Sequence, residues 1–185
     1  MNIVPKAVLS LPVVGVRLQG ATFGDQFIRP TTLLIFLRHF GCIFCKEMVG
    51  DLRHATETTE NFPKSVFVFQ GTPEEGATFF DKHWPDASAI SDSQKTFYEA
   101  FNIQRATLGQ VFAPVVWGCG LRAVRKGYMQ NPVAKVIGDA WLMPGMFLIE
   151  PPVDSVSDAR VIWSHVFKHA GDHPKLSDVP RNVGA

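Results

Sequence analysis

Leu33-Leu-Ile-Phe-Leu-Arg-His-Phe-Gly-Cys42-Ile-Phe-Cys45 is the stretch on which the reading of the fold turns. Its opening run, Leu33 to Leu37, is too short for a helix and wholly apolar. It therefore reads as a strand covered on both faces. From Ile43 to about Glu60, the residues Phe44, Met48, Val49 and Leu52 recur at helical spacing, with Lys46, Glu47, Asp51 and Arg53 on the other side. The cysteines thus fall where a strand turns into a helix. Free backbone N–H groups and the positive helix end favour an anion there, so a thiolate forms more readily than in free cysteine. The Cys-x-x-Cys spacing is close to one helical turn, which puts Cys45 beneath Cys42 and within reach of a disulfide after a small adjustment. Redox or thiol catalysis is the favoured reading. Half of a zinc site and inert packing are the alternatives, and zinc lacks a second ligand pair.

Outward from this junction, Val66-Phe-Val-Phe69 and Met146-Phe-Leu-Ile149 are two further buried strands. The helix from Ile43 then becomes a crossover between parallel strands. Gly71-Thr-Pro-Glu-Glu75 starts another helix, with Thr72 and Glu75 as a capping box and Pro73 at the first helical position, running to about His83 before Trp84-Pro85. Ala87 to Ile90 is a short strand. Ser91-Asp-Ser-Gln94 opens a helix that buries Phe97, Tyr98 and Phe101. Leu108 to Gly127 is helical, apolar first and basic later through Arg122, Arg125 and Lys126, with Pro114, Gly118 and Gly120 as interruptions. Met146–Ile149 and Ala159–His165 pair as an antiparallel hairpin. The expected fold is α/β, a central sheet flanked by helices in one domain over 1–185, with a loose tail at 171–185.

Composition sets the outer limits. The chain has 185 residues, 18 Lys plus Arg against 17 Asp plus Glu, and 46% hydrophobic residues, enough for a core without disulfide staples. A formal net charge of +1 without a polybasic run places nucleic acid and anionic membrane last among partners. No apolar run reaches the roughly 20 residues of a membrane span. The start of the chain lacks the pattern of a signal peptide, and a soluble cytoplasmic protein is expected. Three cysteines, with the third far away at Cys119, exclude a secreted disulfide framework.

Met143-Pro144-Gly145 precedes the last central strand. A proline there marks special backbone geometry, often a cis bond. In a thioredoxin-like sheet such a loop sits against the cysteines and leaves a backbone edge free for an extended substrate segment. Met143 and Pro144 are therefore candidate substrate-binding residues, with an ordinary loop proline as the alternative.

Taken together, these segments resemble the peroxiredoxin-like branch of the alkyl hydroperoxide reductase and thiol-specific antioxidant (AhpC/TSA) family, within the thioredoxin-like superfamily. The run Leu34-Ile-Phe-Leu-Arg-His-Phe-Gly-Cys-Ile-Phe-Cys-Lys-Glu47 is its most specific part. Gly71-Thr-Pro-Glu-Glu75, Ile90-Ser-Asp92, Phe97-Tyr-Glu-Ala-Phe101, Gly138-Asp139, Pro144-Gly-Met-Phe-Leu-Ile149 and His169-Ala-Gly-Asp-His-Pro174 extend it, over Leu11 to about Lys175. The resemblance implies a thioredoxin-like fold, a central mixed β-sheet flanked by helices with an N-terminal β extension at 1–30 and a helical insertion at 105–130 before the last hairpin, and a thiol-disulfide oxidoreductase or peroxiredoxin-like antioxidant protein. No cofactor is implied. The substrate would be a peroxide or a disulfide, the electron donor a thioredoxin-like protein or glutathione, and a homodimer is one option for assembly. Peroxiredoxins carry Pro-x-x-x-Thr-x-x-Cys. Here Arg38 stands at the proline, Cys42 at the threonine and Cys45 at the attacking cysteine, so the peroxide-binding hydroxyl is replaced by a thiol. The long last helix of thioredoxin folds is short or missing.

As a dithiol, an exposed Cys42 attacks and Cys45 resolves, while the peroxiredoxin order has Cys45 attack. Arg38 and His39 are candidates to lower a thiol pKa or move a proton, or are strand-end residues facing solvent. Cys119 is a distant resolving cysteine or an inert one. Arg122 and Arg125 supply a peroxide-polarising guanidinium, or form a solvated basic face. The second functional class is a non-enzymatic thioredoxin-like binding or redox-sensing module that holds a partner through the basic insertion or the Pro144 edge.

Overall fold

A computed structural model describes residues 2–129, 138–154 and 157–182. In chain order the strands are β1 (Ile3–Val4), β2 (Val14–Val16), β3 (Thr32–Phe36), β4 (Lys64–Phe69), β5 (Ser88–Ser91), β6 (Gly145–Glu150) and β7 (Ala159–His165). The helices are α1 (Lys6–Leu9), α2 (Ile43–Thr58), α3 (Pro73–His83), α4 (Thr96–Ala100), α5 (Leu108–Phe112) and α6 (Pro114–Arg125). The strands form one sheet in the order β1-β7-β6-β3-β4-β5-β2. Strands β3, β4 and β5 run parallel, while β6, β7, β1 and β2 pair antiparallel with their neighbours. The fold is the mixed, thioredoxin-like α/β sheet that the sequence led us to expect.

The apolar run of β3 serves two cores because successive side chains point to opposite faces. Leu33, Ile35 and Leu37 pack with Met48, Val49 and Leu52 of α2 and with Phe79 and Phe80 of α3. Leu34 and Phe36 pack with Phe97, Tyr98 and Phe101 on the other face. Phe67 and Phe69 of β4 join the first core, Val66 and Val68 the second. Each such side chain, taken fully out of water, contributes about 2 kcal/mol relative to exposure. This double burial makes β3 rigid and sets where its C-terminal end delivers the chain.

The capping box of α3 forms as expected, with Thr72 and Glu75 satisfying each other's backbone N–H. The helix expected from Ser91 begins later, at Thr96. Buried Asp92 folds back and accepts from the N–H groups of Thr96, Phe97 and Tyr98, which holds Lys95 in a left-handed turn with φ 63°. The region from Leu108 to Gly127 divides into two helices at Ala113-Pro114, since Pro114 suits a helix start and not its interior. Gly118 and Gly120 do not interrupt α6. Residue 130, the end of the expected insertion, lies outside the described residues.

Glu47 departs from its expected place on the polar side of α2. It is 0% exposed, because α6 packs onto that side and Arg122 donates to both Glu47 oxygens at 2.8 and 2.9 Å. The approach is close: a side chain at Gly50 would meet the Tyr128 hydroxyl at 1.8 Å. With Phe167, Ala170 and Val179 also in the first core, this packing covers the face left open by the missing last helix. The C-terminal stretch, expected to be a loose tail over 171–185, is tied down through residue 182. Val179 is buried, and the Asn182 N–H donates to the Asn61 carbonyl at 2.9 Å. Residues 183–185 lie outside the described residues.

Candidate active site

Strand β3 ends at Phe36, and the turn Leu37 to Gly41 carries the chain to Cys42, the N-cap residue of α2, with Cys45 in the first turn. The Cys42 N–H donates to the His39 carbonyl at 3.1 Å and closes the turn. Contrary to the expectation of an exposed nucleophile, Cys42 is only 4% exposed and Cys45 only 2%. The reason is local: Phe40, Ile43 and Phe44 surround the pair within the first core.

Arg38 decides the electrostatics. Its side chain is 5% exposed and forms no ion pair with a carboxylate among the described residues. Instead Nε donates to the Leu142 carbonyl at 3.1 Å, Nη2 to the Ala140 carbonyl at 2.6 Å, and Nη1 points to Cys42 Sγ at 3.7 Å. A buried guanidinium neutralised only by carbonyl dipoles strongly favours an anion beside it. The Cys42 thiol is accordingly held below its ordinary pKa. The hydrogen bond from the Cys45 thiol is the main cause; burial opposes the shift, and the Arg38 charge and N–H groups of the first turn of α2 add to it. Cys45 moves the opposite way, since its proton is held by Cys42 and its own ionisation would be buried beside a thiolate. Two thiols in one turn are thus split into an anion and a proton donor.

His39 lies half-buried beside them, with its pKa lowered to about 4 by burial and by the charges of Arg38 and Lys46. It is therefore neutral near pH 7 and does not supply the positive charge that would lower a thiol pKa. Arg122, a candidate for the peroxide-polarising guanidinium, has spent its guanidinium on Glu47. Arg125 is exposed.

The Met143-Pro144 loop lies against this centre through Arg38, whose hydrogen bonds end on Leu142 and Ala140. Met143 is buried in the same core as the cysteines. Two expectations for the loop need correction. Among the described residues the cis peptide bond is Arg29–Pro30, so Met143–Pro144 is trans. Its backbone edge is also occupied: the Met143 N–H donates to the Gln104 carbonyl at 2.9 Å and the Ala106 N–H to the Trp141 carbonyl at 2.6 Å. The segment leading into the helical insertion takes the edge an extended substrate would need. What stays open beside Pro144 is a cavity of about 310 Å³ walled by Ile103, Met143, Phe147 and Phe167, with neither cysteine among its lining residues.

Sequence reading missed the residues that hold Arg38. Gln70, just beyond β4, donates to the Arg38 carbonyl at 2.5 Å and accepts from the Asp139 N–H at 2.7 Å, clamping the two loops that meet at the thiols. Gly138 allows this approach with φ +97°, and a Cβ there would strike the Gln70 side chain at 2.6 Å. Tyr98, fully buried, donates its hydroxyl to the Leu37 carbonyl and to that of Val68 at 3.1 Å. The one clue to Gln70 is a polar residue ending an otherwise apolar strand.

The sheet, the parallel βαβ crossover and a thiol pair at the start of its helix define a protein of the thioredoxin-like class. Within that class the chain belongs to the AhpC/TSA antioxidant enzyme family, whose model matches residues 52–169. That match begins after the two cysteines. Human Peroxiredoxin-like 2C is 46% identical over 46 residues, 25% of this chain and 20% of that protein, so the match spans about a fifth of its length. Thioredoxin-like protein AAED1, chloroplastic, of Arabidopsis thaliana is 21% identical over 176 residues, covering 92% of this chain and 68% of that one. Among solved structures, peroxiredoxin Q of Xanthomonas campestris matches with a TM-score of 0.53 at 17% identity, covering 86% of each chain, a likeness of fold. Family and fold support a redox function.

Proposed function

We propose that the chain is a thiol-dependent oxidoreductase in which Cys42 attacks and Cys45 resolves, reducing a peroxide or a small disulfide in a reducing cytoplasm. The observation that carries this reading is the buried Arg38 guanidinium, without a carboxylate, aimed at Cys42 Sγ at 3.7 Å. The Cys42 thiolate attacks one peroxide oxygen, the O–O bond breaks, and the leaving alkoxide or hydroxide takes a proton. Cys42 becomes a sulfenic acid. The Cys45 thiol then displaces water from it and closes the disulfide. A dithiol donor, thioredoxin-like or glutathione as two equivalents, returns both sulfurs to the thiol form. Arg38 and the first turn of α2 hold the anion; the Met143-Pro144 loop positions Arg38 through the carbonyls of residues 140 and 142. Burial of Cys42 favours a small oxidant over the disulfide of a folded protein.

The test is turnover of hydrogen peroxide, an alkyl hydroperoxide and a small disulfide with either donor, in the wild type, Cys42→Ser and Cys45→Ser. Loss of turnover in the first variant, with a trapped Cys42 sulfenate or mixed disulfide in the second, supports the assignment. Attack by Cys45 would reverse that pattern. A reversible disulfide without turnover of any oxidant would favour the redox-sensing module instead.

A further inference from the structure

Closing the dithiol into a disulfide creates a charge problem that the reduced state does not have. Arg38 is 5% exposed, and its guanidinium reaches the carbonyls of Leu142 and Ala140 and, at 3.7 Å, Cys42 Sγ. No carboxylate pairs with it among the described residues. In the reduced state the Cys42 thiolate is the anion beside this buried cation. A Cys42–Cys45 bond removes that anion and leaves the guanidinium facing a neutral disulfide. It also takes away the hydrogen bond from the Cys45 thiol to Cys42. What the fold contributes to the dithiol and withholds from the disulfide makes the couple easier to reduce, as in oxidants whose reduced form is the stabilised one.

Access to the sulfurs restricts the electron donor independently. Phe40, Ile43 and Phe44 pack around both cysteines in the first core. The backbone edge beside Pro144, where an extended segment of a protein partner would pair, is taken by the hydrogen bonds from Met143 to Gln104 and from Ala106 to Trp141. A folded dithiol donor needs such an edge to present its own cysteine, whereas a small thiol needs only a gap of its own width. Local charge narrows the choice again. Lys46, the residue after Cys45, is half-buried; its ammonium donates to the Met129 carbonyl at 3.2 Å and meets no carboxylate among the described residues. Its charge is felt at His39, in the turn that leads to the thiols. Arg122 and Lys126, by contrast, are already paired with Glu47 and Asp51. An ammonium without a carboxylate beside the site favours a donor that brings one.

We propose, on the footing that Cys42 and Cys45 form the redox couple described above, that this couple is an oxidising one whose electron donor is a small acidic monothiol of the glutathione class, not a protein dithiol. The thiolate of a first donor molecule attacks the Cys42 sulfur, the S–S bond breaks, and Cys45 leaves and takes up a proton. A second donor thiolate then attacks the donor sulfur of the mixed disulfide. Cys42 departs as the thiolate that Arg38 receives, and the two donor molecules leave as their own disulfide. Two electrons have passed to the couple; of the two donor protons, one ends on Cys45 and the other goes to solvent. A couple poised in this way passes few electrons on to a protein disulfide, which leaves peroxide as its oxidant.

The experiment oxidises the full chain with one equivalent of hydrogen peroxide, equilibrates it with mixtures of reduced and oxidised glutathione, and then compares peroxide turnover driven by glutathione, by neutral 2-mercaptoethanol and by a reduced thioredoxin. The equilibrium constant for reduction should lie at least about a hundredfold above that of a thioredoxin, which is about 60 mV for a two-electron couple, and should fall about tenfold in Arg38→Met. Glutathione should sustain turnover and thioredoxin should not. Lys46→Gln should raise the KM for glutathione several-fold more than that for 2-mercaptoethanol, a difference that a packing role of Lys46 would not produce. Should Arg38→Met fail to fold, the wild-type constant and the Lys46→Gln comparison still decide. A wild-type constant no higher than that of a thioredoxin overturns the proposal and leaves the dithiol reading standing, as does turnover driven by thioredoxin and not by glutathione. An equal rise in both KM values overturns the acidic donor. Absence of any disulfide between Cys42 and Cys45 after peroxide ends the dithiol reading itself, and the proposal with it.

Discussion

Two places in the molecule bring an arginine close to a cysteine, and they differ in where the arginine's charge goes. At the β3–α2 junction, Arg38 is buried, meets only carbonyl oxygens and has Cys42 Sγ at 3.7 Å. On α6, Arg122 sits one turn from Cys119 but gives two hydrogen bonds to buried Glu47 and a third to the Gly171 carbonyl at 3.2 Å. Proximity of a guanidinium does not make a thiol reactive. What matters is whether a carboxylate has already claimed the positive charge. By this measure Arg38 keeps its charge available to Cys42, while Arg122 attaches α6 onto α2.

The comparison can be broken most severely at the sulfurs. Cys42→Ser is expected to lower turnover by about a thousandfold or more, measured as donor oxidation with peroxide, because Cys45, the other thiol of the turn, keeps its proton and is a poor nucleophile. Next comes Arg38→Met. With the buried cation gone, the inflection in the pH profile of Cys42 alkylation should move up towards that of a free thiol, and the alkylation rate at neutral pH should fall about ten- to a hundredfold. Arg38→Lys should recover part of it. An unmoved inflection would leave the arginine with a packing role only.

On the other side of the comparison, Arg122→Ala strands buried Glu47 without its two-pronged partner. It should cost about 3 kcal/mol in denaturant unfolding, at the low end for a broken buried pair because Lys126 remains at 3.2 Å. Turnover per folded molecule should change little. Smaller still is an acid effect. His39 and His173 both have pKa values lowered to about 4, chiefly by burial, so the folded chain keeps them neutral. The unfolded chain takes up protons first as pH drops below the ordinary 6.5 of histidine. The stabilisation is thus complete above pH 6.5 and lost towards pH 4, with a slope approaching about two protons. Unfolding titrations should show that slope roughly halved in His173→Gln. The smallest effect belongs to Cys119→Ser, which should leave turnover within about twofold, and a larger loss would bring Cys119 into the cycle.

Much of this was legible in the residues themselves. Leu33 to Leu37 reads as a doubly covered strand because five consecutive apolar residues have no exposed face to offer. Thr72-Pro-Glu-Glu75 reads as a helix start because each residue answers an unpaired backbone group. The dithiol was visible for the same reason, since a strand, a turn and a helix N-terminus are local. Arg38, by contrast, was visible as a candidate without a role. Its partners Leu142 and Ala140 lie more than a hundred positions further along the chain, and only the antiparallel pairing of β6 with β3 returns them. Gln70 was missed outright, because a glutamine at a strand end carries no mark of the two loops it joins. Glu47 was misplaced because a helix's own periodicity does not say whether another helix will cover its polar side.

The sequence by itself determined which segments become strands and helices and that two thiols share one helical turn, because periodicity, capping and turn chemistry act over neighbouring residues. Only the tertiary structure decided that Cys42 is buried, that Arg38 rather than Arg122 faces it, and that the Pro144 edge is already paired. Those outcomes depend on which distant groups meet and on which charges are neutralised when water is excluded between them, and no local pattern in the chain records either.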